Sequence, residues 1–417
     1  MIEEQYAGTG TLKMSAIEEG LLCALMRDGC QILEDFFRQH VPDCADQRRD
    51  GERHYRQRHI GVHSVLGKFS LWRDYFYDGK NGRAPLDEQL GLKDGNTPGL
   101  QKLMSHAGAM SGSFEQGSAD LRIYSHLEVP GRSIQRMASV IGPDIQSWQQ
   151  ERTPTIPEPA PKVMYVSYDG TGVPTTKSET QGRKGKQPDG SSKGREVKLG
   201  CVFTQLRTVD GEPPDRDPDS TTYVASFDPS VDFGGIIRQE AVLRGMAYAG
   251  KVVVLGDGAP WIWEVARVNF PNAVCILDLY HAYEHVNDLA ALIYPGESAD
   301  KGHARRWREW LKAGKVDHFI KVVTELADAE EKKKEDILKA IKYFTKNRKR
   351  MRYASFQEKG YFVGSGVVEA GCKAVIGKRA KQSGMFWHVD GAQNVLSTRC
   401  AVLGQLFDDY WEHRNAA

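Results

Sequence analysis

The sequence predicts a mixed α/β chain, with a mainly helical first region and a second region built on a sheet. Three observations carry that prediction. Between residues 15 and 41, apolar side chains recur near the 3.6-residue spacing of a helix. Pro154, Pro157, Pro159 and Pro161 then crowd one short stretch, residues 151–162, which reads as an extended linker. Beyond it, five short apolar runs between 162 and 277 alternate with turn clusters and helical stretches. The length of 417 residues allows two or three domains at about 150 residues each.

In the first helix the apolar positions are Ile17, Leu21, Leu22, Leu25, Ile32, Leu33, Phe36 and Phe37. An Arg- and Asp-rich stretch, 43–58, reads as exposed. Residues 59–77 alternate like a hairpin with its turn at Gly67-Lys68, and Asp78 to Gly82 form a turn cluster. Pro98 starts a helix, Ser113 caps a second to about Leu127, and Ser133 caps a third through Trp148. Helix, short Gly-containing turn, helix over 113–150 is the outline of a helix-turn-helix, and equally of a plain helical bundle. The region 1–150 is therefore the candidate DNA-binding part, followed by the linker at 151–162.

The first strand past the linker, 162–167, runs into Asp169. A Gly-, Lys- and Ser-rich excursion at 177–194 precedes the second strand, 196–207. A loop at Pro213-Pro214-Asp215 precedes the third, 221–227. A helix over 232–248 leads to the fourth strand, 251–255, and a helix near 260–268 to the fifth, 273–277. Residues 280–360 are helical and charged, with Trp307 and Trp310 as apolar anchors, and helices run from Ser365 to the end. The order β-β-β-α-β-α-β followed by helices is that of an RNase H-like fold, in which the first and fourth strands are neighbours.

Composition excludes several classes. With 40% hydrophobic and 27% charged residues the chain is neither disordered nor fibrous. No run approaches the ~18 apolar residues of a membrane span. The acidic start, Met1-Ile2-Glu3-Glu4, lacks the basic segment of a secretory leader. Seven scattered cysteines without a Cys-x-x-Cys argue against a disulfide scaffold and a sequence-local zinc site, so a cytoplasmic setting is expected. The net charge of +1 hides an asymmetry. Residues 301–381 hold 22 Lys and Arg against 10 Asp and Glu, a net of +12, which leaves −11 elsewhere. Such a segment is a candidate polyanion face. Alternating Glu and Lys through 325–342 read as solvated helix faces. Lys346, Arg348, Lys349, Arg350 and Arg352, with Lys373, Lys378, Arg379 and Lys381, point to nucleic-acid contact.

Two aspartates end strands that this order makes neighbours: Asp169 in Tyr168-Asp169-Gly170-Thr171-Gly172, and Asp257 in Gly256-Asp257-Gly258. Taken singly, each reads as a turn residue, since Asp-Gly recurs throughout the chain. Together at one end of a sheet they need a cation, and hard oxygen ligands select Mg²⁺ or Mn²⁺. Glu369, in the first turn of a helix that Ser365 caps, is the third candidate ligand. Three carboxylates holding two ions suit phosphoryl transfer. Asp278 and His281, in Asp278-Leu279-Tyr280-His281, are auxiliary candidates, a structural role being the alternative for His281. Trp261 and Trp263 read as core residues before base-stacking ones. Lys373, four residues after Glu369, shares its helical face and is a candidate phosphate contact, or a counter-charge to Glu369.

At these residues the chain resembles bacterial insertion-sequence transposases of the DDE type, specifically the Kra-type group. The blocks that carry the resemblance are Pro85-Leu86-Asp87-Glu88-Gln89-Leu90-Gly91-Leu92, Thr97-Pro98-Gly99-Leu100, Tyr168 to Pro174, Arg195 to Gly200, Gly256 to Ala259 with Trp261-Ile262-Trp263, Ile276 to Ala282, and Gly364 to Glu369 leading to Lys381-Gln382-Ser383-Gly384-Met385. The resemblance implies Asp169, Asp257 and Glu369 as the catalytic and metal-binding triad, separated by 88 and 112 residues. The long second gap is similar to that of Mutator-like transposases, which carry an all-helical insertion there. The core would then span 163–284 and 361–417, with the basic insertion at 285–360. Asp278-x-x-His281 also resembles an element of that wider group. One point departs from the family pattern: where it has a Cys-x-x-Cys knuckle, this chain has Tyr77-Asp78-Gly79-Lys80-Asn81-Gly82-Arg83.

The expected activity is cleavage of element ends and strand transfer into target DNA. It uses Mg²⁺ or Mn²⁺, with terminal inverted repeats and target duplex as partners. A homodimer is implied by the resemblance, no membrane is involved, and the protein is cytoplasmic, on the nucleoid when bound to DNA. The DNA-contact candidates are Lys373, Lys378, Arg379, Lys381, Arg348 and Arg350. Two alternatives are an RNase H-like endonuclease that does not join ends, and a catalytically inactive, transposase-derived DNA-binding protein.

Overall fold

The computed structural model describes residues 14–181, 194–206, 214–296, 302–329 and 332–416. The chain start, most of the excursion at 177–194 and part of the loop at 213–215 lie outside them. The fold is mixed α/β and divides into two compact units, Met1–Ile141 with Asp408–Ala417, and Gly142–Phe407.

In the first unit, helix α1 (Met14–His40) lies on a three-stranded antiparallel sheet of β1 (Arg53–Ser64), β2 (Gly67–Tyr77) and β3 (Gly82–Arg83). Val62, Phe69, Leu71 and Leu86 form the core between them, with Cys30, Leu33 and Phe37 of α1 packed on it. The first strand begins at Arg53, inside the Arg- and Asp-rich stretch read as exposed, and most of that stretch is exposed. Its solvent face is charged, which hides the strand's two-residue period, and a bulge between Tyr55 and Arg58 shifts the register. The turn is Val65-Leu66, not Gly67-Lys68. Gly67 opens β2 at φ +123°, a conformation that favours glycine.

The segment without the cysteine knuckle is braced otherwise. Asp78 accepts the Lys80 and Asn81 amides at 2.7 and 2.6 Å. Arg83 grips Glu52 at 2.7 and 2.8 Å, and Arg73 grips Asp87 at 2.8 Å through two nitrogens. Four helices follow: α2 (Pro85–Gln89), α3 (Pro98–Met110), α4 (Phe114–Ser125) and α5 (Gly131–Glu151). Thr97 and Ser113 cap α3 and α4, their side chains accepting the Leu100 and Gln116 amides. Ser133 caps nothing: α5 starts two residues earlier, directly after Pro130. The boundary between the units falls inside α5, beside Pro143.

The second unit holds a five-stranded sheet. Its strands are β4 (Val163–Pro174), β5 (Gly194–Thr204), β6 (Thr222–Ser226), β7 (Lys251–Gly256) and β8 (Val274–Leu277), in spatial order β6-β5-β4-β7-β8. The β4–β5 and β5–β6 pairs are antiparallel, whereas β4–β7 and β7–β8 are parallel. A one-turn helix α6 (Lys177–Thr180) follows β4. Helices α7 (Ser230–Leu243) and α8 (Pro260–Asn269) flank β7 in sequence, and α9 (Leu279–Ile293) leaves β8. Parallel neighbours need such crossovers. Strand β4 is longer than the sequence suggests, because its second half pairs with β5 alone.

Then come α10 (Gly302–Lys312), α11 (Val316–Ala329), α12 (Lys334–Asn347) and α13 (Tyr353–Glu358), packed around Trp307, Phe319 and Phe344, all fully buried. Helix α14 (Gly366–Gly371) widens into a π-helical segment (Cys372–Gly377) before α15 (Lys378–Ala380). Helix α16 (Val389–Leu403) packs on β6, and α17 (Phe407–Ala416) closes the chain. No helix among the described residues is long and apolar enough to cross a membrane.

Candidate active site

Strand register brings the two aspartates level. The last β4–β7 pair is Ser167 with Leu255. Asp169 and Asp257 each lie two residues beyond it, on adjacent parallel strands, so both emerge at the same sheet end. Asp169 is half-buried, and its Oδ1 accepts the Gly170 amide at 2.6 Å. Burial pushes its carboxyl above the usual range. The Gly170 amide opposes that, the Asp257 charge adds to it, His281 lowers it, and Glu369 raises it again. Asp169 is thus within electrostatic reach of both other members of the expected triad.

Asp257 sits in a tight turn, its Oδ1 accepting the Ala259 amide at 2.8 Å. Its own carbonyl accepts the hydroxyl of Tyr343, from α12, at 3.0 Å. Gly258 has φ +102°, and a Cβ there would meet Tyr343 Oη at 2.7 Å and Leu277 Cδ1 at 2.8 Å. Only glycine fits this turn. Glu369 is exposed on α14. The Ser365 hydroxyl does not cap that helix; it donates to Glu369 Oε1 at 3.3 Å.

Asp278 is fully buried and turns out to be a brace. Its backbone amide donates to the Gly256 carbonyl at 2.8 Å. Its carboxylate accepts the His281 amide at 2.6 Å and the Ser365 amide as well. The Leu279 amide donates to the Val363 carbonyl at 2.9 Å. This chain of bonds ties the residue before Asp257 to the segment that launches α14, and so fixes Asp257 and Glu369 relative to each other. Both Asp278 oxygens are engaged by amides. His281 is half-buried, with Nδ1 3.6 Å from Glu284. Its neighbour His285 has its ring centroid 3.8 Å from that of Tyr343, and burial holds its imidazole below the usual range.

Cys372 Sγ lies 3.9 Å from Asp169 Oδ2. Burial, then Asp169, push this thiol up to about 12, so it stays protonated and donates to the carboxylate. Lys381 Nζ donates to Thr171 Oγ1, two residues from Asp169, and is exposed.

The remaining basic candidates separate by burial. Lys373, Lys378 and Arg348 are exposed, Arg348 standing 3.8 Å from Asp317. Arg350 is half-buried, its guanidinium 4.3 Å from the Trp263 ring and 2.8 Å from Asn347 Oδ1. Arg379 is fully buried, 5.0 Å from the Trp387 ring centroid and 3.6 Å from Met385 Sδ. It offers no charge to an outside ligand, which corrects its reading as a DNA contact. Glu369 and Lys373 are both exposed, and the helix passes into its π-helical turn at Cys372, between them. Trp263 is buried, and half-buried Trp261 packs on Tyr168 and Phe233 at 5.7 and 6.2 Å.

Among the described residues, no three His, Cys, Asp or Glu side chains stand close enough together to hold one metal ion. The donor set nevertheless suits a hard divalent cation. Asp169, Asp257 and Glu369 are oxygen ligands, and two like charges already raise the first.

The first unit carries a second feature that sequence reasoning missed. The β1–β2 hairpin carries exposed Arg53, Arg56, Arg58, Tyr55, His59 and Trp72, divided between its two faces: Arg58 stands opposite Arg73 on the face of the core residues, and His59 opposite Trp72 on the other. Arg58 stacks over Tyr75 at 4.8 Å and Tyr55 at 5.9 Å, and His59 pairs with Trp72 at 5.0 Å. Basic and aromatic residues interleaved along the hairpin sequence are the signal that could have found it. Compared with known proteins, the chain matches no family model, and it has no significant sequence match among curated proteins.

Proposed function

We propose that the protein is a DNA phosphoryl transferase with an RNase H-like core, a transposase of the DDE type that cuts element ends and joins them to a target. The observation that supports this most is the level placement of Asp169 and Asp257 on adjacent parallel strands, with Glu369 acting on the same carboxylate. These three residues would hold Mg²⁺ or Mn²⁺. When bound, such an ion lowers the pKa of an attacking water or 3′-hydroxyl and offsets charge on the leaving oxygen. Asp278 keeps two of the carboxylates in register, and Lys381 offers an ammonium group beside Asp169 for a strand phosphate. Residues 285–360 contribute Tyr343 to the Asp257 turn. The exposed arginines and aromatic rings of the hairpin suit DNA or exposed bases.

One observation favours a second reading, a DNA-binding protein without catalysis: the carboxylates do not form a ready three-ligand cluster. Purified protein with a labelled duplex from the gene's own flanks and Mg²⁺ separates the readings. Cleavage with joining supports the transposase, cleavage alone an endonuclease, and binding alone the inactive protein. Asp169→Ala should abolish cleavage and keep DNA binding; unchanged cleavage in that variant removes Asp169 from the site.

A further inference from the structure

Helix α1 has 27 residues and not one of them is buried. One flank rests on the hairpin through Cys30, Leu33 and Phe37. A different flank is apolar and open: Met14, Leu21, Leu25, Ile32 and Phe36 are 70%, 49%, 60%, 69% and 53% exposed. At 100° per residue these five fall in a stripe about 60° wide along a helix about 40 Å long. Single exposed apolar residues need no explanation, whereas a continuous stripe marks a contact surface.

We infer that this stripe is the contact between two copies of the chain, paired antiparallel about a two-fold axis. The spacing of the stripe identifies the occupant. Leu21, Leu25, Ile32 and Phe36 are separated by four, seven and four residues, a pattern that reads the same in both directions about a midpoint between Asp28 and Gly29. A two-fold axis there sets Leu25 against Ile32 of the second copy, and Leu21 against Phe36. Such self-complementarity is what an isologous contact requires, and a different partner imposes no symmetry on the spacing. Asp28, the acidic residue nearest the axis, has Arg27 as counter-charge at 3.4 Å. The stripe supplies about 500 Å² per copy and about 1,000 Å² for the pair, the lower bound for a specific interface. The association is therefore weak and concentration-dependent. It does not rest on the reading of the carboxylates: a dimer can form whether or not DNA is cleaved.

The test is sedimentation velocity of the full-length protein from about 0.1 to 100 μM, a range that brackets a standard-state affinity near 1 μM. Wild type should pass from monomer to dimer. Leu25→Glu and Ile32→Lys, each made alone, should raise the dimer Kd at least ~10-fold, about 1.4 kcal/mol. The double variant should recover most of that loss, because the register places the new charges opposite each other across the axis but two turns apart within a chain. Circular dichroism checks that helix content is kept, and the neutral Leu25→Ser serves where the charged variant loses it. A wild type that stays monomeric, a dimer indifferent to the single variants, or a double variant no better than the singles overturns the proposal.

Discussion

Replacing Gly258 by alanine tests whether the Asp257 turn is set by sterics. The residue has φ +102°, outside the conformations that L side chains readily adopt, which costs about 1–2 kcal/mol. The new methyl would also stand 2.7 Å from Tyr343 Oη and 2.8 Å from Leu277 Cδ1. Leu277 is buried at the end of β8 and cannot retreat, so Tyr343 must. Overpacking of this kind costs about 1–3 kcal/mol. The sum of about 2–5 kcal/mol corresponds to a fall of roughly 5–15 °C in Tm for a unit of this size. Displacing Tyr343 also breaks its bond to the Asp257 carbonyl, so Mg²⁺-dependent cleavage should drop at least ~10-fold below the unfolding temperature, or ~1.4 kcal/mol in barrier. Calorimetry and a cleavage assay read the two effects. Gly360→Ala is the control: its φ is +68° with nothing within 4 Å of a Cβ, so only the backbone cost applies. Equal Tm losses in the two variants, or full cleavage by Gly258→Ala, would refute the reasoning.

Other outcomes follow from the same geometry. The raised Asp169 carboxyl makes the metal-free fold most favourable while that group is protonated, and the advantage is lost as pH rises through its folded pKa. Asp169→Asn should therefore match wild type below about pH 4 and exceed it in Tm at neutral pH, and Mg²⁺ should stabilise wild type only; a variant less stable than wild type at pH 7 sinks the assignment. Asp278→Asn puts an amide donor against backbone N–H groups, which should cost about 1–3 kcal/mol and lower cleavage while DNA binding persists. Arg379→Ala should lower stability by about 2–4 kcal/mol through lost packing, with no change in the salt slope of DNA binding below its unfolding temperature. Arg58→Ala, at an exposed residue of the hairpin, should do the reverse, reducing the salt slope by about 1 with little change in Tm.

What could be read along the chain, and what could not, divides by the range of the interaction. The five strands of the second unit are short apolar runs closed by Gly and Asp, and alternation with helices made β4 and β7 neighbours. From there the common sheet end of Asp169 and Asp257 needs only counting. The first half of β1 was hidden because Arg53, Arg56 and Arg58 face solvent, so charge masked the alternation that Val62 and Ser64 show further on. The basic run at 378–381 showed how many charges there are but not their direction. Arg379 turns inward onto Trp387 while Lys378 and Lys381 turn outward, and the π-helical turn just before them sets that phase.

The bracing of the site lay furthest from sequence reasoning. Tyr343 stands 86 residues from the carbonyl it holds, and Asp278 stands 87 from the Ser365 amide. Neither contact has a local signature: an Asp before a helix reads as an ordinary cap, and Asp278 is one, accepting the His281 amide. Its second oxygen makes the difference. A cap whose other oxygen reaches Ser365 couples the end of β8 to the start of α14, the helix that carries Glu369. That carboxylate is buried, and each of its oxygens accepts a backbone amide, so it links the segments around it. The three remaining carboxylates carry the charge that a cation would have to balance.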